Sequence, residues 1–397
     1  MLNRFWMVAA LAAAAPVSAA DWPNFLGPNR NSISPETGLN KNWSAQPPRE
    51  RWRTLMSDDG YAGPAVANGK VFIINHEGDK DIVRALDLNS GKDIWIHTYA
   101  DKSKPNYGFA RATPTVEGGR VYTVSRFGVV HCLDEKTGKP IWVKDVVKAF
   151  NGQIPRWEMA WSPVIDGERL LVLPGGPGAA LAVLNKNNGE TVWKGGGSDV
   201  PGYATPVVAT IAGKKQYILF TSKHLVGVDA ANGNPLWKIS WETKYDVNAA
   251  TPLVIAPNAV FITSNYARGC ALIAVAGNNA SIRWENKELQ SHFNSPILYN
   301  NHIYGISNDM VCLDPQSGKA LWRRAGFERG GLIIADGVIM ALNGRDGDLV
   351  MVEASPTAYR ELGRIKPLGG RSWTAPILAQ GKLIIRNKST LACLALN

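Results

Sequence analysis

Leu133-Asp134-Glu135-Lys136-Thr137-Gly138-Lys139-Pro140-Ile141-Trp142 is the stretch from which the fold of this chain is read. An Asp is followed four residues later by Gly, and four residues after that by Trp. The same spacing recurs at Asp87-Gly91-Trp95, Asn185-Gly189-Trp193, Asp229-Gly233-Trp237 and Asp314-Gly318-Trp322. A repeat of this kind sets the architecture before any other consideration. The glycine marks a hairpin turn that requires positive φ. The tryptophan offers a large flat surface able to wedge between neighbouring sheets. A sixth unit ends at Trp284 with a drifted turn, Gly277-Asn278-Asn279-Ala280. A seventh is weaker, with Glu353 near the Asp position and Leu362 near the Trp position.

The segment upstream of each turn repeats too. Pro64, Pro114, Pro163, Pro206, Pro252, Pro296 and Pro376 each open an apolar run such as Val121-Tyr122-Thr123-Val124, and from Pro64 to Pro296 they are spaced 43 to 50 residues apart. Alternation of Val, Ile and Tyr with small or polar residues marks half-buried strands, and that spacing suits four short strands with their turns. Proline belongs at a strand's start, where its missing N–H does least harm. The last unit begins at Arg371 and stops one strand short at Asn397, while Arg49-Glu50-Arg51-Trp52-Arg53-Thr54-Leu55 is a spare strand carrying a Trp without a unit. Joining the two closes a ring and protects both edges. The expectation is an all-β, eight-bladed propeller over residues 21–397, its last blade made of 371–397 plus the closing strand 49–56. Seven blades is the alternative, if the weak seventh unit does not form a blade.

Composition agrees with a large folded core. The 397 residues carry 43 Lys+Arg against 33 Asp+Glu, a net charge of +10, with 45% apolar and 19% charged residues. These values exclude intrinsic disorder and fibrous sequence. The positive charge is spread in pairs such as Lys214-Lys215 and Arg323-Arg324. A nucleic-acid binder concentrates it on one face, so none is expected as partner. Residues 1–20 combine Arg4, the apolar run Phe5 to Ala15 and the small residues Ser18-Ala19-Ala20. That pattern reads as a signal peptide cleaved after Ala19 or Ala20. The run is too short to span a membrane. A periplasmic or secreted, soluble, monomeric protein is expected.

The Leu-Asp-x-x-Thr/Ser-Gly-Lys-x-x-Trp unit resembles that of the pyrroloquinoline-quinone-like (PQQ-like) β-propeller repeat family, over essentially the whole mature chain. The opening Trp22-Pro23-Asn24-Phe25-Leu26-Gly27-Pro28-Asn29-Arg30, followed by Glu36-Thr37-Gly38-Leu39, is similar to the leader of many exported bacterial members. The resemblance implies the propeller fold. It also implies one of two activities: the quinoprotein dehydrogenases, or the non-catalytic propellers that are BamB-like in architecture. The dehydrogenases typically use a vicinal Cys-Cys pair and often a Cys-x-x-Cys-His haem site, and neither is present here. The expected function is therefore a non-catalytic binding platform of the cell envelope, with no cofactor. Partners would be envelope proteins or an anionic or carbohydrate ligand. A PQQ-dependent dehydrogenase of alcohols or sugars, using PQQ with Ca²⁺, is the alternative.

Candidate chemistry is sparse. Cys132, Cys312 and Cys393 precede a Leu at one repeat position in non-adjacent blades, too far apart for disulfides, and with Cys270 they are expected to be free and buried. None of the six histidines falls in a zinc-ligand spacing, so no metal site is expected. Gly175-Gly176-Pro177-Gly178 reads as a turn. No catalytic residue is assigned. Segments just before each inner strand should gather at the ring axis: Tyr61, Phe109-Ala110-Arg111, Arg156-Trp157-Glu158, Trp161, Tyr203, Asn248, His292-Phe293-Asn294, Glu328-Arg329 and Arg371-Ser372-Trp373. From these, Arg111, Arg156, Trp157, Glu158, His292, Arg329, Arg371 and Trp373 form the candidate ligand funnel. Cations beside aromatic rings suit carboxylate, sulfate, sugar or quinone. The reading favours the arginines pairing with Glu158 and Glu328 and plugging the channel. Trp52, Trp95, Trp142, Trp193, Trp237, Trp284 and Trp322 are assigned to the structural repeat.

Overall fold

A computed structural model describes residues 19–105 and 107–396; residues 1–18, most of the expected signal peptide, lie outside the described residues. Eight sheets stand around an axis, each built on four antiparallel strands in meander order, and one of them carries a fifth, short strand. Blade 1 consists of Ala65–Ala67, Lys70–Glu77, Lys80–Asp87 and Asp93–Ala100. The following blades span 115–145, 164–195, 207–240, 253–286, 297–325 and 332–365. Blade 8 takes three strands from 377–395 and its outermost strand, Arg49–Leu55, from the other end of the chain. In it Arg53 stands opposite Ala392 and Trp52 opposite Cys393, so the ring is closed as expected. The weak seventh unit is a complete blade, which excludes the seven-bladed alternative. The chief helix among the described residues is one turn, Val146–Phe150, capped by the Asp145 side chain.

The repeat motif fixes how blades meet. In blade 2, Trp142 stands opposite Cys132 and Pro140 opposite Leu133, so a bulge lies between them. The bulge turns the indole toward the next blade. Trp95 of blade 1 lies over Gly138 of blade 2, where an added Cβ would sit 2.4 Å from the ring. With φ at +69°, position 138 needs glycine for both its backbone and this approach. The indole N–H then donates to the backbone carbonyl of the residue after the Asp or Asn of the next repeat: Trp52 to Leu88, Trp95 to Glu135, Trp142 to Lys186 and Trp284 to Pro315. Trp193 has no such partner, because Arg169 donates to the Ala230 carbonyl it would use. Trp237, facing the drifted turn, donates instead to Gln216 of its own blade.

Blade 7 departs from the sequence reading. Gly363, rather than Leu362, stands opposite Met351 at the tryptophan register. Trp43 from the leader packs against Gly363, within 2.6 Å of where a Cβ would be, and is 2% exposed. A tryptophan from elsewhere in the chain thus replaces the missing wedge.

The leader also crosses the axis. Trp22 pairs with Val66 of blade 1, Pro23 accepts from Val116 of blade 2, and Arg30 donates to the Ile165 carbonyl of blade 3. Ile33–Ser34 then adds a short parallel strand to the inner edge of blade 7. All four cysteines are free and buried. Burial pushes the thiols of Cys132 and Cys312 up to about 11 and those of Cys270 and Cys393 up to about 12, so they serve as small apolar residues.

Candidate functional site: an axial funnel

Because each inner strand starts at one face of the ring, the residues just before it converge on the axis there. They enclose a cavity of about 590 Å³. Its floor includes Trp22, Phe25, Leu26 and Ser32 of the leader. Its wall is a nearly continuous chain of aromatic rings. Tyr61 stacks on Trp373 at 5.1 Å, Trp373 meets Phe293 at 5.1 Å, and Phe293 meets His292 at 4.9 Å. The chain continues through Tyr266, Tyr245, Trp157 and Tyr203, with successive centroids 5.1 to 6.2 Å apart.

The charges are distributed unevenly over this wall. Arg111 donates to Glu158 at 2.7 Å and to the Trp157 carbonyl at 2.6 Å. Glu328 pairs with Arg345 rather than with a funnel arginine. Arg156, Arg329 and Arg371 have no carboxylate partner among the described residues. Arg156 lies 5.0 Å from the Trp157 ring, while Arg329 and Arg371 both lie on Trp373, at 5.5 and 4.4 Å. The expected mutual neutralisation therefore holds for Arg111 alone, and the channel is an open cavity rather than a plug. The reason is reach: Glu158 is engaged on both sides, by Arg111 and, at 3.6 Å, by Arg126.

Among the described residues, His292 is the one histidine on the wall. Burial, with the Arg329 charge adding to it, lowers its pKa to about 4, so the ring is neutral at physiological pH. Its Nε2 faces the Tyr266 hydroxyl at 3.3 Å and its Nδ1 has no partner. Burial raises the Tyr203 phenol to about 12; its oxygen accepts from the Trp157 N–H. The wall thus offers guanidiniums, hydroxyls and ring faces, which recognise an anionic, flat ligand.

Several residues read as converging on the axis do not line the cavity: Phe109, Ala110, Glu158, Trp161, Asn248, Glu328, Arg371 and Ser372. Trp161 is fully buried, and Asn248 is spent internally, donating to the carbonyls of Thr221, Ser222 and Trp241. Glu158 and Glu328 are held in ion pairs, and Arg371 lies over the Trp373 ring instead of on the lining. Tyr107 and Tyr245 line the cavity but were missed. Each stands seven residues before its repeat proline, so a wider window would have found them. Tyr266, between the second and third strands of blade 5, carries no sequence signal.

Behind the rim lies a buried ionic group that sequence spacing does not reveal. His76 Nδ1 meets Asp81 at 2.8 Å, and Arg126 donates to Asp101 at 2.6 Å. Phe109 stacks on His76 at 3.5 Å. The donor atoms of His76, Asp81 and Asp101 lie within 4.8 Å of one another, a spacing that a metal ion could use. Arg126, 1% exposed, already places a cation there, and the group reads as an ion-paired support for the rim.

The site does not fit the Ca²⁺ of the alternative reading. That ion takes six to eight oxygen ligands, carboxylates foremost. The cavity lining contains no Asp or Glu among the described residues and carries Arg111, Arg156 and Arg329 instead.

Fold and site together define a class: an eight-bladed propeller of PQQ-like repeats with an open axial funnel. The chain belongs to the family described as outer membrane protein assembly factor BamB, whose model matches residues 79–324. It is similar to the outer membrane protein assembly factor BamB of Moranella endobia, with 22% identity over 314 residues covering 74% of this chain and 76% of that protein. In three dimensions it resembles BamB from Moraxella catarrhalis, with a TM-score of 0.63, 16% identity, and coverage of 88% of this chain and 97% of that one. The quinohemoprotein alcohol dehydrogenase ADHIIG from Pseudomonas putida gives the same TM-score of 0.63 at 13% identity, covering 95% and 80%. At these identities the structural likenesses establish a shared fold.

Proposed function

We propose that this protein is a non-catalytic binding platform of the bacterial cell envelope, which captures an anionic, flat-ringed group in its axial funnel. The observation that carries the reading is the set Arg156, Arg329 and Arg371: three guanidiniums without carboxylate partners, lying on a belt of aromatic rings. Export is supported by the apolar N-terminal run, and an envelope role by the assembly factors among the relatives. No helix among the described residues is long and apolar enough to cross a membrane.

The quinone-dependent oxidoreductase remains the second reading, favoured by one observation: a planar polycarboxylate would match the same arginines and rings. One experiment separates the two. PQQ is titrated into the protein with and without Ca²⁺, following tryptophan fluorescence and dye reduction by alcohols and sugars. The platform reading expects Ca²⁺-independent binding and no turnover. A charge-assisted contact contributes about 1.5–3 kcal/mol, so Arg329→Ala or Arg371→Ala should weaken binding roughly 10- to 100-fold. Ca²⁺-dependent turnover refutes the platform. Binding that ignores both substitutions refutes the funnel as its site.

A further inference from the structure

Glu36 is 0% exposed and forms no salt bridge among the described residues. Its carboxylate accepts only from backbone N–H groups, that of Gly381 at 2.9 Å and that of Ala20 at 3.2 Å. Burial raises its pKa, and of its surroundings Lys382 contributes a stabilising charge only at a distance. A buried carboxylate without a cation is costly to ionise. This one sits at the seam where the leader meets blade 8: the Ala20 carbonyl accepts from the Gln380 N–H at 3.1 Å, and the Asp21 carboxylate accepts from Gln380 at 2.8 Å and from the Asn68 N–H at 3.1 Å. Ala20 is thus held on both its carbonyl and nitrogen sides, and its nitrogen points at the carboxylate.

From this geometry we infer that Glu36 is the receptor for a new chain terminus, and that export processing cleaves the Ala19–Ala20 bond rather than the one after Ala20. Hydrolysis adds one water across that amide. Ala19 leaves as a carboxylate with the signal segment, and the freed Ala20 nitrogen takes up a proton. A neutral N–H donor becomes an ammonium in contact with the buried carboxylate, and the missing cation is supplied. Cleavage one residue later would remove the nitrogen that makes the contact. The consequence reaches the funnel, because the segment this pair anchors includes Trp22, Phe25, Leu26 and Ser32 of the cavity floor. Processing thus adds an ion pair to the segment that carries that floor. The inference rests on reading residues 1–20 as a signal peptide, and the test separates the two.

Protein exported from the full-length gene is purified and its intact mass measured. The expected start is Ala20. A start at Asp21 overturns the assignment, and a product retaining the first residues overturns the signal-peptide reading. The second arm needs no export: chains released from a cleavable tag to begin at Ala20 or at Ser18 are melted between pH 6 and 10, each with and without Glu36→Gln. An unpaired α-ammonium titrates near ~8. Pairing raises that value in the folded state, so the stabilisation is fully present below about pH 8 and is lost as pH rises through the raised value. The Ala20 chain should melt higher than the Ser18 chain at pH 6–8 and converge with it toward pH 10, with Glu36→Gln erasing the gap. Equal melting of the two chains across this range overturns the pairing, whatever the outcome of Glu36→Gln.

Discussion

Trp95→Ala tests the wedge that joins blade to blade, and a partner substitution makes the test specific. The indole is 8% exposed, lies 5.9 Å from Phe72, covers Gly138 and donates to the Glu135 carbonyl at 2.9 Å. Truncating a buried Trp to Ala removes about 3–5 kcal/mol, including the cavity left behind. For a domain of this length the unfolding entropy is roughly 0.8 kcal/mol/K, so Tm should fall about 5 °C. Gly138→Ala attacks the same contact from the other side. It drives a Cβ into an indole 2.4 Å away and also imposes a positive φ of 69° on a residue with a side chain. The backbone component is about 1–2 kcal/mol. The clash adds about 1–3 kcal/mol, and only this second part needs Trp95. In the Trp95→Ala background, Gly138→Ala should therefore cost only its backbone component, giving a coupling of about 1–3 kcal/mol in a double-mutant cycle. Calorimetry or urea melts of the four proteins measure it. Additive costs would mean that the indole does not rest on Gly138, and the account of how the repeat builds the ring would fail.

Three further outcomes are expected. Trp43→Ala empties the wedge position of blade 7 and should cost about 3–5 kcal/mol, with the leader the first segment cut in limited proteolysis; wild-type resistance would mean that Trp43 does not stand in for the missing repeat tryptophan. Deleting residues 49–55 leaves the outer edge of the strand Thr390–Ala395 unpaired, and light scattering should show association through that edge; a folded monomer would contradict ring closure. Burial, with the nearby His97 adding to it, holds His131 at about 4, against an unfolded value near ~6.5. Between those values the unfolded chain binds the proton and the native chain does not, so stability is lost as pH falls from about 6.5 to 4. His131→Gln should flatten that slope in urea midpoints; an unchanged slope refutes the assignment.

Much of the architecture was legible because the repeat is local. A turn with its glycine, the bulge and the following tryptophan are set within ten residues, so the Asp-Gly-Trp spacing reports each blade by itself. Even closure could be read, since Trp52 lacked a unit and the last unit stopped one strand short. The reading lapsed where local signal was replaced by contact at a distance. Trp43 supplies the wedge of blade 7 across more than 300 residues, and no spacing rule reaches that far. The funnel was legible in composition but not in charge state. The order of blades dictated that Arg156, Arg329 and Arg371 approach the axis. Whether they met carboxylates depended on side-chain reach, and Glu158 turned to Arg111 and Arg126 while Glu328 turned to Arg345. Sequence by itself determined the fold, the ring closure and an aromatic, cationic axis, because those follow from periodicity along the chain. Only the tertiary structure decided which charges stayed free, that the leader floors the cavity, and that Glu36 is buried without a salt bridge among the described residues. Those depend on distances between residues brought together by closing the ring.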